Sequence, residues 1–342
     1  MQIGAIKCVN RRIFDAQIHY TGWDSHPTRL EDLIAAMNRA HVSAAAVCGL
    51  PTTNYQKKYC FDYHGDDQLL RLYQKLTPAD PARLYIFVCG VNPEDPNTLR
   101  HIKKFLARYP SMIRGFGEII CRHDTMSRKI FGHEIPPLTP TCLDLYDLAA
   151  AHHLPILLHT NIADPTDSTP THRQEIEDVL SHNPNCQIIW AHGGISKDIH
   201  VSGLLETLSE LLTRYPNLFI DLSWRVHDFY ICRDDYSLLA WINLIEKFSD
   251  RFVIGTDLTG NYSKYYLTIY RYDCLMNLLS DRARQQIQFV ISPAFSITRR
   301  KLAQNCSTAP PLASARQICK FSPTVSRYCA CAKSGFCPRQ RL

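Results

Sequence analysis

The chain contains 342 residues, of which 45% are hydrophobic and 20% are charged, so it is long enough to bury a large core. It has no run of eighteen apolar residues, which argues against a membrane-spanning helix and a membrane partner. The net charge of +6 arises in the tail, where residues 299–342 hold nine Lys or Arg and no Asp or Glu. Residues 1–298 have 29 basic and 32 acidic side chains, and this slightly acidic balance argues against a nucleic-acid partner.

Eight short apolar or β-branched runs recur along the chain and predict eight strands. The runs are nearly continuous rather than alternating, which suits strands buried on both faces of a parallel sheet. The predicted strands are Ile13–His19, Ala44–Cys48, Leu84–Cys89, Ile113–Ile120, Pro155–His159, Cys186–His192, Leu218–Leu222 and Arg251–Asp257.

Segments with helical spacing of apolar residues lie between these runs, and Thr139 is placed to cap one of them. Eight strand-then-helix units favour a closed (β/α)8 TIM barrel over an open doubly wound sheet, and no glycine-rich phosphate loop supports the open sheet. The predicted helices are Leu30–Ala40, Thr98–Tyr109, Thr139–His152, Leu204–Tyr215, Tyr236–Phe248 and Tyr265–Leu279, with a short one at Thr298–Gln304.

The end of the chain has a different character. From residue 305 the sequence is basic and rich in Ser, Pro and Cys, and its five cysteines fit no common zinc-binding spacing. We predict a barrel domain over residues 1–304 and a poorly ordered extension with no assigned role over residues 305–342.

The first twelve residues lack the pattern of a secretory signal peptide. Several of the nine other cysteines, such as Cys48 and Cys89, lie inside apolar runs, where a reduced cysteine behaves as a small apolar residue. These features predict a cytoplasmic protein. A small molecule is the expected partner, and a homo-oligomer is left open.

Ionisable residues recur where the predicted strands end. In a (β/α)8 barrel the carboxyl ends of the strands meet at one mouth, so these side chains should converge there. Imidazoles and carboxylates together suit a divalent transition metal. Zinc is the expected ion, with manganese and iron as alternatives. The residues are His19, Glu118, His159, His192 and Asp257.

Each of these residues also has a structural explanation. A histidine at a strand end is more often an ordinary rim residue than a ligand, and Glu118 could pair with Arg114 or Arg122. Asp257 could cap the turn that follows it. Five such residues on the same edge of five strands are hard to obtain by chance, and the coincidence favours a site.

Six segments around these residues resemble the amidohydrolase superfamily, and within it the amidohydrolase-related metal-dependent hydrolases that also include aromatic-acid decarboxylases. The order and spacing agree across about residues 10–280. The resemblance implies a mononuclear or binuclear metal site, a metal-activated water and an aspartate on strand eight that acts as base. The segments are FDAQIHY (14–20), GFGEI (115–119), LPILLHT (154–160), IIWAHGG (188–194), LFIDLSW (218–224) and RFVIGTD (251–257).

The first strand departs from the family pattern. The family carries His-x-His there, and this chain has Gln17 in place of the first histidine. A neutral amide oxygen is a weak zinc ligand beside imidazole, so the metal position that needs both first-strand histidines is weakened. The resemblance then implies one metal held by Glu118, His159 and His192, with His19 as a supplementary ligand or a group that polarises the substrate.

The predicted reaction is hydrolysis of a small amide, lactone or ester by a metal-activated water, with Asp257 and His19 as catalytic residues. Gln17, Asp221, Trp224 and Arg225 are the predicted substrate-binding residues. For Asp221 a buried structural hydrogen-bond acceptor is an equal alternative, and Trp224 could serve packing alone.

Two other functions compete with hydrolysis. The first is non-oxidative decarboxylation of an aromatic or unsaturated acid, for which Arg225 could bind the departing carboxylate. The second is a metal-free, non-catalytic barrel that binds a partner, which the loss of a histidine at Gln17 would permit. Segments after the strands, Asn54–His64, Arg122–Pro137 and Asn161–Thr171, are expected to overhang the mouth.

Overall fold

The computed structural model describes residues 13–21, 29–55, 58–76, 83–123 and 125–288. Within them eight parallel strands form one sheet in the order β1-β2-β5-β6-β7-β8-β9-β10. The prediction of eight strands and a (β/α)8 TIM barrel is confirmed, and the open doubly wound sheet is wrong. The barrel strands are β1 (Ile13–His19), β2 (Val42–Cys48), β5 (Leu84–Val88), β6 (Ile113–Ile120), β7 (Ile156–His159), β8 (Ile188–Trp190), β9 (Leu218–Asp221) and β10 (Phe252–Val253).

Helices lie between the strands. The predicted cap at Thr139 is present, since its side chain accepts a hydrogen bond from the Cys142 amide at 3.2 Å. The helices are α1 (Leu30–Ala40), α2 (His64–Tyr73), α3 (Asn97–Arg108), α4 (Met126–Phe131), α5 (Pro140–His152), α6 (Arg173–His182), α7 (Leu204–Arg214), α8 (Trp224–Val226), α9 (Asp235–Lys247), α10 (Tyr265–Tyr270), α11 (Asp273–Met276) and α12 (Asp281–Gln288). No helix among these residues is long and apolar enough to cross a membrane.

The segment predicted as one helix over Tyr265–Leu279 is two helices, α10 and α11. They are separated at Tyr272, whose hydroxyl donates to the carbonyl oxygens of Leu222 and Gly255, both at 2.8 Å. This side chain ties the break to the ends of β9 and β10. The predicted helix Thr298–Gln304 and the tail 305–342 lie outside the described residues.

The segment predicted as a loop over Asn54–His64 contains regular structure. Strands β3 (Thr52–Tyr55) and β4 (Lys58–Phe61) pair antiparallel as a separate hairpin, and α2 begins at His64. Likewise α4 lies within the predicted loop Arg122–Pro137. Neither the hairpin of β3 and β4 nor the helix α4 has enough apolar periodicity to be recognised in the sequence.

The first and last strands of the sheet are joined by backbone hydrogen bonds. The Ala16 amide donates to the Ile254 carbonyl at 2.7 Å, and the Asp257 amide donates to the Gln17 carbonyl at 2.8 Å. The buried Asp15 carboxylate adds to this seam by accepting from the Thr256 amide at 2.9 Å and from its hydroxyl at 2.8 Å. The seam therefore brings the ends of β1 and β10 together at the barrel mouth.

One apolar layer lies outside the strands and a second lies inside the barrel. The larger one packs the outward-facing strand residues, such as Ile18 and Phe116, against the helices. The smaller one fills the barrel interior, where alanines from β1 and β2 face aromatic rings such as Phe87 and Phe219. The interior is therefore filled by apolar side chains, and the catalytic mouth of such a barrel lies at the carboxyl ends of its strands.

The seam predicts a pH dependence of stability. Burial raises the pKa of the Asp15 carboxyl to about 7, although hydrogen bonds from Thr256 favour its charged form. Between about pH 4 and pH 7 the folded protein therefore retains a proton that the unfolded chain has released, and the free energy of unfolding falls as the pH rises through this window.

Asp15→Asn removes this titration while keeping an acceptor for Thr256. At each pH we subtract the free energy of unfolding of the variant from that of the wild type. We expect this difference to be about 1–3 kcal/mol larger at pH 5 than at pH 8. Urea denaturation of both proteins at the two pH values measures it. An equal difference at both pH values would contradict the assignment.

Candidate metal centre

Two irregularities of the sheet turn His19 and Glu118 inward. In β1 the pairing register shifts between Asp15 and Ile18, and in β6 it shifts between Phe116 and Ile119. Successive strand residues point to opposite faces, so a shift exchanges the faces of the residues that follow it. Ile18 then packs against the helices, and its neighbour His19 faces the barrel.

The other site residues are placed by alternation and by strand ends. His159 follows the alternation of β7, in which Leu157 also faces the interior. His192 and Asp257 follow their strands in the left-handed backbone region, with φ of 54° and 51°. This conformation is uncommon for residues other than glycine and is enriched at functional sites. It turns both side chains into the mouth.

The five predicted residues meet around the Glu118 carboxylate. Glu118 Oε1 lies 2.8 Å from His159 Nδ1 and 3.6 Å from His192 Nε2. Its other oxygen, Oε2, lies 3.4 Å from His19 Nε2, and that nitrogen lies 3.1 Å from Asp257 Oδ1. Glu118 is only 5% exposed. The sequence-predicted set is therefore one compact buried cluster.

Hydrogen bonds behind the cluster fix how two imidazoles are oriented. His19 Nδ1 donates to the Gly49 carbonyl at 2.9 Å, which leaves its Nε2 facing Glu118. His192 Nδ1 lies 2.7 Å from Ser223 Oγ and 3.2 Å from Asp221 Oδ2, and its Nε2 faces the cluster. Such partners set the tautomer and raise the basicity of a metal-binding histidine.

Three carboxylates control the charge of the site. Burial disfavours the charged form of His192, but Asp257, Asp221 and Glu118 outweigh it and raise its pKa to about 10. The pKa of His19 is likewise raised, against burial, by Cys48, Asp257 and Glu118. The cluster therefore stabilises positive charge.

Glu118 and His159 are each held in the protonation state that a metal ligand needs. Burial opposes the charge of Glu118, but hydrogen bonds with His159, His19 and His192 lower its pKa well below the ordinary value. Burial and the neighbouring His123 lower the pKa of His159. A carboxylate and a neutral imidazole are the forms that bind metals.

Two groups of donors, both containing Glu118, could hold a metal ion. One is Glu118 with His159 and His192, and the other is Glu118 with His19 and Asp257. Tetrahedral zinc with ligands at about 2.0–2.1 Å places them about 3.3 Å apart, close to the separations around Glu118. Within the described residues, no Lys or Arg pairs with Glu118; Arg122, its suggested partner, pairs with Glu175 at 2.7 Å. The donor set fits a divalent cation.

The predicted substrate-binding residues occupy different positions. Gln17 donates to Asp257 Oδ1 at 3.2 Å, while its Oε1 is buried without a hydrogen-bond partner among the described residues. Trp224 packs its ring against that of His192, with centroids 5.1 Å apart. The Arg225 guanidinium lies over the Trp224 ring at 5.5 Å. Asp221 is fully buried behind His192 and accepts a hydrogen bond from the His192 amide at 3.3 Å.

Sequence reasoning missed Ser223, and His123 lies in the segment Arg122–Pro137 that was expected to overhang the mouth. Ser223 Oγ links Asp221 to His192, and only its place after a strand end could have marked it. The His123 ring stacks on His159 with centroids 4.2 Å apart. Its Nδ1 accepts a hydrogen bond from the Thr125 amide at 3.2 Å. Arg128, in the same segment, pairs with Glu134 at 3.1 Å.

Comparisons with known proteins agree with this architecture. A family model described as Amidohydrolase matches residues 14–288. A search of curated proteins finds no match. Similar solved structures include an amidohydrolase from Burkholderia multivorans with bound zinc, which is 12% identical with a TM-score of 0.52; the match covers 83% of this chain and 99% of that one.

Two further similar structures are those of enzymes with different activities. Dihydroorotase from Campylobacter jejuni is 14% identical with a TM-score of 0.53, and the match covers 86% of this chain and 83% of that one. Dihydroxybenzoic acid decarboxylase from Polaromonas sp. JS666, with bound manganese and the inhibitor 2-nitroresorcinol, is 12% identical with a TM-score of 0.54; the match covers 84% of this chain and 98% of that one. At these identities the likeness shows the fold alone.

The hydrogen bonds behind His192 predict a role in metal affinity. Asp221→Asn leaves the side-chain volume nearly unchanged but removes the charge that orients His192. We expect metal affinity to fall about 10- to 100-fold with the fold retained. Competition with a chelator of known affinity measures the change. Asp250→Asn, at an exposed carboxylate, is the matched control, and equal losses in both variants would contradict the role of Asp221.

Proposed function

Since the chain belongs to the amidohydrolase family, we propose that it is a metal-dependent hydrolase that acts on the carbonyl group of a small amide, lactone or ester. The observation that carries this proposal is the convergence of Glu118, His159 and His192 into one buried donor group. The non-catalytic barrel is the weaker alternative, because Gln17 leaves this donor group intact.

The donor group suits a catalytic rather than a purely structural metal. Three protein ligands leave a coordination position open for reactants, whereas structural zinc sites are usually closed by four. Zinc is the proposed ion, and the zinc and manganese in similar structures support a divalent metal. When bound, such an ion polarises a carbonyl group and lowers the pKa of a bound water towards neutral pH.

Asp257 is placed to move a proton. Its side chain is 14% exposed, more than those of Glu118 and the histidines, so it can reach a reactant at the mouth. Gln17 and His19 both contact its Oδ1 and hold it in place. Asp257 accepts a proton from the attacking water and returns it to the leaving group.

His19 has two roles open to it. Its Nε2 lies between Glu118 and Asp257, so in the protonated ring its single Nε2 proton can be donated to one of these carboxylates or to a substrate oxygen. In the second donor group it is a ligand together with Glu118 and Asp257, which would make the centre binuclear. The number of metal ions at the mouth distinguishes the two arrangements.

Decarboxylation is the second candidate, and Arg225 is the observation that favours it. Its guanidinium lies over Trp224 and over Phe229, at 5.5 and 5.1 Å from the ring centroids. Its Nε is buried and has no hydrogen-bond partner among the described residues. A guanidinium with donors to spare beside an aromatic wall suits an aromatic carboxylate.

The experiment compares Asp257→Asn with the wild type on a panel of small amides, lactones, esters and hydroxybenzoates. We expect hydrolysis by the wild type and a fall in kcat of about 10²–10⁴-fold in the variant, since the amide cannot accept the proton. Product analysis and carbon dioxide release are measured together.

Three outcomes are decisive. Wild-type kcat in Asp257→Asn would contradict the role of Asp257. Carbon dioxide release from a hydroxybenzoate, lost in Arg225→Ala, would replace hydrolysis by decarboxylation. A loss of metal in Asp257→Asn would assign that residue to the binuclear arrangement.

A further inference from the structure

A second group of metal-binding side chains lies outside the centre built on Glu118. It comprises His227, Cys232 and Cys274, whose donor atoms lie within 4.8 Å of one another. Cys232 Sγ is 3.3 Å from Cys274 Sγ and 3.6 Å from His227 Nε2. His227 is 3% exposed, whereas both cysteines are partly exposed. The group is therefore preassembled and open to an ion from solvent.

The imidazole of this group is oriented from behind. His227 Nδ1 lies 3.1 Å from Asp228 Oδ1, and Asp228 in turn pairs with Arg271 at 3.2 Å. A proton on Nδ1 that is donated to Asp228 leaves the lone pair of Nε2 directed at the sulfurs. A carboxylate that orients a histidine in this way is the usual partner of a metal-binding imidazole.

The separations suit a tetrahedral ion that prefers sulfur. Zinc–sulfur bonds of about 2.3 Å place two thiolates about 3.8 Å apart, slightly more than the observed distance between Cys232 and Cys274. Two thiolates and a neutral imidazole around a divalent ion carry no net charge, so the loaded site can stay half-buried. The five-residue step from His227 to Cys232 is also close to the ligand spacings of zinc sites.

We propose that His227, Cys232 and Cys274 bind a thiophilic divalent cation, zinc, with water in the fourth position. Binding releases the protons of the two thiols, and no oxidant or reductant is needed. The site shares no ligand with the Glu118 cluster, so this proposal does not rest on the proposed hydrolase activity.

The position of the group gives the ion a structural effect. His227 begins a five-residue π-helix, His227–Ile231, that directly follows α8, and Cys274 lies in α11. The ion would connect these two segments, which are distant in sequence. Because α8 begins at Trp224, whose ring contacts His192, the connection would restrain one wall of the barrel mouth.

Cobalt(II) titration of the reduced, full-length protein tests the proposal. Cobalt bound by thiolates gives a charge-transfer band in the near ultraviolet, whereas the oxygen and nitrogen donors of the Glu118 group do not. We expect this band in the wild type and in Glu118→Gln, and its loss in the double variant Cys232→Ser/Cys274→Ser. Cys60→Ser, at an exposed cysteine, is the matched control and should keep the band.

Circular dichroism establishes whether the double variant is folded. His227→Gln serves as a second variant in which both thiols are intact. We expect its affinity for cobalt to fall at least about tenfold. The proposal is overturned if the wild type shows no band, or if the band persists undiminished in the double variant. It is also overturned if peptide mapping finds Cys232 and Cys274 joined as a disulfide in protein prepared with zinc and without reductant.

Discussion

Glu118 holds a negative charge inside the barrel, where water can solvate little of it. A buried carboxylate is costly unless a cation or several hydrogen bonds compensate it. Three imidazoles surround Glu118, and two of them, His19 and His192, have raised pKa values. Two further carboxylates, Asp257 beside the Nε2 atoms of both rings and Asp221 behind His192, increase the demand for positive charge. A divalent cation bound by Glu118, His159 and His192 would satisfy this demand with His159 and His192 neutral.

The barrel meets this constraint through features that are local to the strands. Register shifts in β1 and β6 turn His19 and Glu118 away from the helix layer. The seam between Asp15 and Thr256 brings the end of β10, and with it Asp257, next to β1.

The sequence predicts the eight strands because buried parallel strands are continuous apolar runs, and it predicts that the site residues end those strands. His159 follows from simple alternation, but the facing of His19 and Glu118 depends on register shifts that no local pattern encodes. Likewise His227 and Cys274 carry no recognisable motif, since they lie 47 positions apart and meet only through tertiary packing. Tertiary contacts, rather than propensity, decide these features.

Anomalous scattering from crystals of protein purified without chelator would show whether Glu118, His159 and His192 hold a metal ion. We expect a peak between these three side chains, with at least about one equivalent of transition metal bound, and its loss in Glu118→Ala. Localisation by the anomalous peak separates this ion from one bound at Cys232 and Cys274. Less than about a tenth of an equivalent of transition metal at Glu118, His159 and His192 would show that these residues do not hold a metal ion, given the affinity expected of such a site.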